Sequence, residues 1–159
     1  MSQEWCVKVH SKALVVPNLG NLSSNQYVYP SAFDQLLRRV TLMQRVLFYK
    51  PAKEGAEFGE FVEILKRGLA EALVVFYPLA GRLEIDKESG LPRILCNGAG
   101  VEFVEASVDA KLEDLGADLQ PRNIPLEKLF SDFRPAVDAT DTPFLSVQVR
   151  AYLDKVDGP

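Results

Sequence analysis

The chain has 159 residues, a formal net charge of −4 and a pI near 5.1. That balance supplies no bulk positive field for nucleic acid or for an anionic membrane surface. Hydrophobic residues make up 47% of the chain, enough for a single domain, residues 1–159, with its own core. Cys6 and Cys96 are the only cysteines; so widely separated a pair forms neither a disulfide framework nor a zinc-ligand spacing. The opening Met1-Ser2-Gln3-Glu4-Trp5 lacks a signal-peptide pattern, and no apolar run reaches bilayer-spanning length. The expectation is a cytoplasmic protein without a membrane partner.

In chain order, Trp5–Val16 predicts a strand in which Val7, Val9, Ala13 and Val15 alternate with Lys8, His10, Lys12 and Leu14. Pro17–Asn21 is a turn cluster and residues 22–30 read as loop. Ser31 with Asp34 three residues on forms an N-cap pair. A second strand is expected over Val40–Tyr49, with Thr41, Met43, Arg45 and Leu47 on one face. From Glu57 to Phe76 the period lengthens: Phe58, Phe61/Val62, Leu65, Leu69, Leu73 and Phe76 mark one face of a long amphipathic helix. Pro78 stops that helix, Gly81 frees the backbone to turn, and a strand runs from there to Ile85.

A turn at Lys87–Gly90 leads into a strand over Arg93–Cys96; Asn97–Gly100 reads as a hairpin connection and Val101–Ala106 as a short strand. Ser107–Leu115 predicts a short helix with Ser107 as cap, and Leu126–Phe130 a helical turn. Phe144–Leu153 reads as an interior strand, with Leu145, Val147, Val149, Ala151 and Leu153 opposite Ser146, Gln148, Arg150 and Tyr152. Strands and helices do not alternate regularly, which points to α+β layers rather than a doubly wound parallel sheet.

Little in these residues carries chemistry unaided. His10, the single histidine, sits between Lys8 and Lys12 on the polar side of a strand and reads as surface. Asn97-Gly98-Ala99-Gly100 lacks the glycine spacing and following helix of a dinucleotide loop. Asp109, Glu113, Asp114, Asp118, Asp138 and Asp141 form no metal set. Arg38, Arg39, Arg45, Lys50 and Lys53 make a modest basic cluster, suited to coenzyme phosphates or to a solvated strand edge. No catalytic residue and no metal ligand is assigned.

Five segments, in order, resemble the plant BAHD acyltransferases. Tyr77-Pro78-Leu79-Ala80-Gly81-Arg82-Leu83 looks like that family's helix–turn–strand hinge. Ser31-Ala32-Phe33-Asp34-Gln35 resembles its Leu-Ser-x-Leu-Asp-Gln segment, with Pro30 and Phe33 in place of leucines. Val46-Leu47-Phe48-Tyr49 is similar to its second strand, Gly98–Ala106 to its Gly-x-Gly-x-x-Phe-x-Glu-Ala segment, and Pro143–Val149 to its Pro-x-Leu-x-x-Gln-Val strand.

The resemblance implies the N-terminal part of a chloramphenicol acetyltransferase-like α+β sandwich, with a mixed sheet and one long helix. It implies transfer of an acyl group (hydroxycinnamoyl, benzoyl, acetyl or fatty acyl) from acyl-CoA, a co-substrate rather than a bound cofactor, to a small-molecule alcohol or amine. The remaining, C-terminal part of the same enzyme would be its partner. By the same resemblance Arg45 and Leu47 are substrate-binding positions on the acyl side of a tunnel. The family's general base is the histidine of His-x-x-x-Asp, suited to the task by a pKa near working pH. No such motif occurs in residues 1–159, and Asp154-Lys155-Val156 stands where the family carries Cys-Gly-Gly. The alternative expectation is a truncated, non-catalytic binding module.

Overall fold

One stretch, Val101–Val108, is shielded on both of its faces: Val101, Phe103, Val104, Ala106, Ser107 and Val108 are all buried. The computed structural model, which describes residues 6–18, 26–32, 34, 45–49, 57–110, 141–143 and 145–152, places this stretch at the centre of a sheet. Its elements are β1 (Val7–Val15), β2 (Gln26–Val28), α1 (Phe58–Val75), a 3-10 turn (Tyr77–Ala80), β3 (Arg82–Ile85), β4 (Pro92–Cys96), β5 (Val101–Val108) and β6 (Ser146–Tyr152). β5 pairs antiparallel with β1 and parallel with β6, while β4 lies between β2 and β3 in a second, antiparallel sheet. The described residues are thus α+β, with one mixed sheet and one long amphipathic helix.

β1 does not keep one face inward. Val7 and Val9 oppose Val108 and Ala106, but Ser11, Ala13 and Val15 oppose Glu105, Phe103 and Val101. His10 is the extra residue of a β-bulge. An insertion of one residue moves every later side chain to the other face. Val7 therefore packs with Val108 and Ala110, beside Val46, Phe48 and Tyr152. Val15 instead joins Val62, Leu73, Ala80, Val101 and Phe103 under the helix. The expected common face of Val7, Val9, Ala13 and Val15 is corrected to two half-faces.

α1 lies on the second of these clusters. Val62 and Leu73 are buried, and Phe58, Leu65, Leu69 and Ala70 pack around them with Leu145, Val147 and Val149. Each full burial of such a side chain is worth about 1.5–3 kcal/mol. Phe61 and Phe76, expected on this face, are instead 45% and 60% exposed. Phe61 precedes Val62 and so stands about 100° around the helix from it, and Phe76 is the C-cap, just beyond the last helical turn.

Several boundaries differ from the sequence reading. β2 falls in residues read as loop: it has only three residues and is held by pairing with Ile94, Leu95 and Cys96. Ser107 caps no helix but continues β5, opposite Lys8. Asn97–Gly100 is a crossover between the two sheets, since β4 and β5 do not pair with each other. Residues 45–49 belong to no ladder, although burial alternates there, with Val46 and Phe48 half-buried. β6 is an edge strand among the described residues. The turn at 126–130, and residues 40–44 and 111–115, lie outside the described residues. The cap pair is present: Asp34 Oδ2 accepts from Ser31 N at 3.0 Å, and Ser31 Oγ accepts from Asp34 N at 3.2 Å.

The hinge shows why its glycine is needed. Gly81 has φ −85° and ψ −163°, an extended conformation open to any residue, so freedom to turn is not the reason. A Cβ there would lie 2.5 Å from Leu95 O and 3.0 Å from Pro78 O. Backbone atoms are in the way, so the cost is overpacking, about 1–3 kcal/mol even for alanine. Gly81→Val in the natural full-length chain is expected to lower the melting temperature by several degrees, with Gly81→Ala intermediate. A melt of the valine variant that superimposes on the parent would show that β4 does not press on the hinge.

Candidate functional site

Arg82 leaves the hinge at the start of β3 and is 4% exposed. Its Nη1 donates to Gly81 O and Gly100 O, each at 2.8 Å, and its Nη2 to Ala99 O at 3.2 Å. Gly100 N returns a bond to Ala80 O at 2.9 Å. The Asn97–Gly100 loop thus turns carbonyl oxygens inward onto a cation, the opposite polarity from a phosphate cradle. Burial lowers the Arg82 pKa, and Asp141 nearby opposes that shift.

A second polar group occupies the β2-β4-β3 sheet. Arg93 donates to Glu84 at 2.7 Å and to the Asp86 carboxylate, and its guanidinium lies 3.9 Å from the Tyr27 ring centre. Asp86 Oδ1 accepts from Ser89 N at 2.8 Å and from Glu88 N at 2.9 Å. The Ser89 amide leads in holding the Asp86 carboxyl below the usual carboxylate range. An open groove of about 730 Å³ runs past Tyr27, Tyr29, Glu84, Asp86, Lys87 and Arg93. Arg93, Glu84 and Asp86 are already matched to each other, which suits a turn lock better than a ligand site.

The third group lies at the β1 bulge. His10 is exposed, as expected, but its Nε2 lies 2.8 Å from Ser107 Oγ, and Ser107 is 6% exposed. On the same face Glu105 pairs with Lys66 of α1 at 2.7 Å, and Lys66 also reaches Glu63 at 3.0 Å. The Lys66 bond, followed by one from Ser11, holds the Glu105 carboxyl below its ordinary range. Lys66 is raised in turn, chiefly by Glu105. A Ser–His contact can serve nucleophilic catalysis. Here the hydroxyl is buried and the imidazole reaches it from the unpaired bulge residue, so the pair closes the bulge.

Arg45 and Leu47 project to the exposed side of residues 45–49, Leu47 being 68% exposed. Val46 and Phe48 alternate with them and face the sheet. Of the basic cluster only Arg45 is among the described residues; of the acidic set, only Asp109 and Asp141, both exposed. No group of three metal-ligating side chains occurs among the described residues. No helix there is long and apolar enough to cross a membrane. Sequence reasoning did not foresee the Arg82 clamp, because loop carbonyls carry no sequence signal, or Ser107, which reads as a helix cap.

Comparison with known proteins now bears on this framework. A family model described as the Transferase family matches residues 5–154. A myricetin 3-O-glucosyl 1,2-rhamnoside 6'-O-caffeoyltransferase from Crocosmia x crocosmiiflora is 36% identical over 124 residues, covering 77% of this chain and 27% of that protein. Hydroxycinnamoyltransferase 1 from Oryza sativa subsp. japonica is 50% identical over 100 residues, 60% of this chain and 21% of its own length. An omega-hydroxypalmitate O-feruloyl transferase from Arabidopsis thaliana is 32% identical over 148 residues, with shares of 92% and 31%. The chain therefore spans less than a third of each relative. The crystal structure of vinorine synthase matches with a TM-score of 0.60 and 24% identity, over 92% of this chain and 35% of that one. That likeness carries the fold: the N-terminal part of the two-layer sandwich.

The bulge cluster sets two expectations. A carboxyl held below its unfolded-state pKa stabilises the fold above that unfolded value and loses the contribution as pH falls through the folded one. Glu105→Gln should therefore flatten the fall of the urea midpoint between about pH 6 and pH 3; an unchanged slope would place the acid sensitivity elsewhere. His10→Ala leaves the buried Ser107 hydroxyl without this partner, a loss of about 1–3 kcal/mol. Any turnover by a protein that contains this chain should stay close to the parent's. A hundredfold drop with folding intact would make His10 a catalytic base.

Proposed function

This chain belongs to the plant BAHD acyltransferases, the Transferase family matched over residues 5–154, and on that footing we propose that it forms the N-terminal part of an enzyme that moves an acyl group from acyl-CoA to an alcohol or amine. The observation that carries the reading is that family match, which spans nearly all of the chain. The acyl group is hydroxycinnamoyl, benzoyl, acetyl or fatty acyl. Hydroxycinnamoyl-type donors are supported by relatives whose names specify caffeoyl and feruloyl transfer. The setting is cytoplasmic, with acyl-CoA as co-substrate.

Residues 1–159 supply scaffold in this reading. Acyl transfer needs a base at the attacking hydroxyl or amine, worth about 10²–10⁴-fold. His10 is engaged with Ser107 at 2.8 Å, so the base comes from the part of the relatives' length that this chain does not span. Arg45 and Leu47 stand on an exposed side and would line the acyl path only when a second wall faces them. Two reactants held between walls gain the advantage of orientation, and a single wall cannot provide it.

The test compares the full-length natural protein with residues 1–159 alone. Each is incubated with caffeoyl-, feruloyl-, benzoyl- and acetyl-CoA and a mixture of alcohol and amine acceptors, and free CoA is followed. Acceptor-dependent release is expected from the full protein and none from the isolated part, which should also self-associate in light scattering because β6 is an edge strand among the described residues. Release by a monomeric 1–159 would overturn the scaffold role. No release by the full protein with any donor would overturn acyl transfer.

A further inference from the structure

The face of β6 turned away from α1 carries a polar row: Ser146, Gln148, Arg150 and Tyr152, all half-buried. Ser146 donates to Glu102 Oε2 at 2.6 Å. Arg150 Nη2 donates to the neutral amide oxygen of Gln148 at 3.0 Å. The Nε–H of Arg150 is buried and makes no hydrogen bond. None of the ion pairs among the described residues includes this guanidinium. Burial lowers its pKa, and the neighbouring Tyr152 opposes that shift.

The same molecule shows how its other enclosed guanidinium groups are satisfied. Arg82 is met by three carbonyl oxygens, and Arg93 by two carboxylates. A half-buried cation with a buried, unpartnered N–H is unfavourable until an acceptor meets it. The planar edge of a guanidinium fits a carboxylate or a phosphate with two parallel bonds. We infer that Arg150 is the docking point for an oxyanion, carboxylate or phosphate, of a small molecule bound against this face of β6. As the side chain stands, Nε is closed off. Docking turns the guanidinium and gives up its bond to Gln148.

Only the source of the oxyanion rests on the acyl-transfer reading: the phosphates of the coenzyme, or a carboxylate on the acceptor. The experiment follows the ¹⁵Nε–¹Hε signal of Arg150 in the full-length protein, assigned by its disappearance in Arg150→Lys. Inorganic phosphate and acetate are titrated separately at constant ionic strength. A saturable displacement of that signal, with the Arg93 signal unmoved, is expected for at least one of them. Gln148→Ala, which releases the guanidinium, should tighten the same binding several-fold.

Competition by CoA would assign the site to the donor, and competition by a carboxylic acid acceptor would assign it to the acceptor; either supports the site. Absence of a saturable response to both anions, or equal phosphate affinity in Arg150→Lys measured by calorimetry, would overturn it. So would an Nε–H signal that is already hydrogen-bonded and inert because a carboxylate outside residues 1–159 fills the edge. Phosphate binding at Arg150 without acyl transfer would retain the site and remove the enzyme reading. Acyl transfer with a silent Arg150 would do the reverse.

Discussion

The Arg82 guanidinium is the point at which the two sheets are joined. It binds the hinge through Gly81 O and the crossover loop through Ala99 O and Gly100 O. Gly100 closes the ring by bonding Ala80 O, and its own φ of +97° brings it so close to β1 that a Cβ would meet Val15 O at 2.8 Å. Three segments therefore meet at one cation, the hinge after α1, the start of β3 and the loop after β4, and the end of β1 lies against Gly100 beside them. A hydrogen bond from a charged donor is worth about 1.5–3 kcal/mol and is lost in full when a buried carbonyl is left bare. Position follows from this. Once the hinge is tied to the loop, α1 lies over β5, and Val62 and Leu73 meet Val101 and Phe103.

The bulge at His10 decides what each sheet face can do. Before it, β1 contributes Val7 to the cluster around Val108; after it, β1 contributes Val15 to the cluster under α1. One strand thus serves two cores, at the cost of one unpaired residue whose side chain is bonded to Ser107. The helix-side face is then filled by apolar packing and by the Lys66–Glu105 pair. No buried side-chain polar atom is left unpartnered on it among the described residues, since Arg150 Nε lies on the other face.

Legibility in the sequence followed the length and the local character of each element. α1 was readable because eighteen residues repeat one period, and the hinge was readable because proline acts through its own geometry. The 31–34 cap pair was readable because both partners are local. β2, three residues long, exists only through β4, and nothing local marks it. The bulge is invisible for a related reason: Val7, Val9, Ala13 and Val15 share one parity in sequence, and only the register against β5 reveals the slip. Gly81 was singled out rightly but for the wrong cause, since its φ is ordinary and its constraint is the Leu95 carbonyl across the sheet. Arg82 and Arg150 look alike in sequence, each in an alternating strand. What separates them is whether distant backbone oxygens happen to reach them.

That separation bears on where a ligand belongs. Small-molecule sites need unsatisfied, convergent polar groups beside apolar wall. The helix-side face of the β1-β5-β6 sheet has the apolar wall, and its polar groups are spent. The groove beside Arg93 has polar groups, but Arg93, Glu84 and Asp86 are spent on one another. The face of β6 turned away from α1 has both features: the tilted Phe48–Tyr152 ring pair, with centroids 6.2 Å apart, supplies apolar surface, and Arg150 carries an unpartnered Nε–H in the same row as Tyr152. Val46 and Phe48 pack towards this face and Arg45 and Leu47 away from it. The residues that family resemblance nominates and the residue that unsatisfied chemistry nominates therefore stand on opposite sides of one short segment. A ligand touching both must pass around that segment, or the two belong to different ends of an elongated molecule such as an acyl-coenzyme.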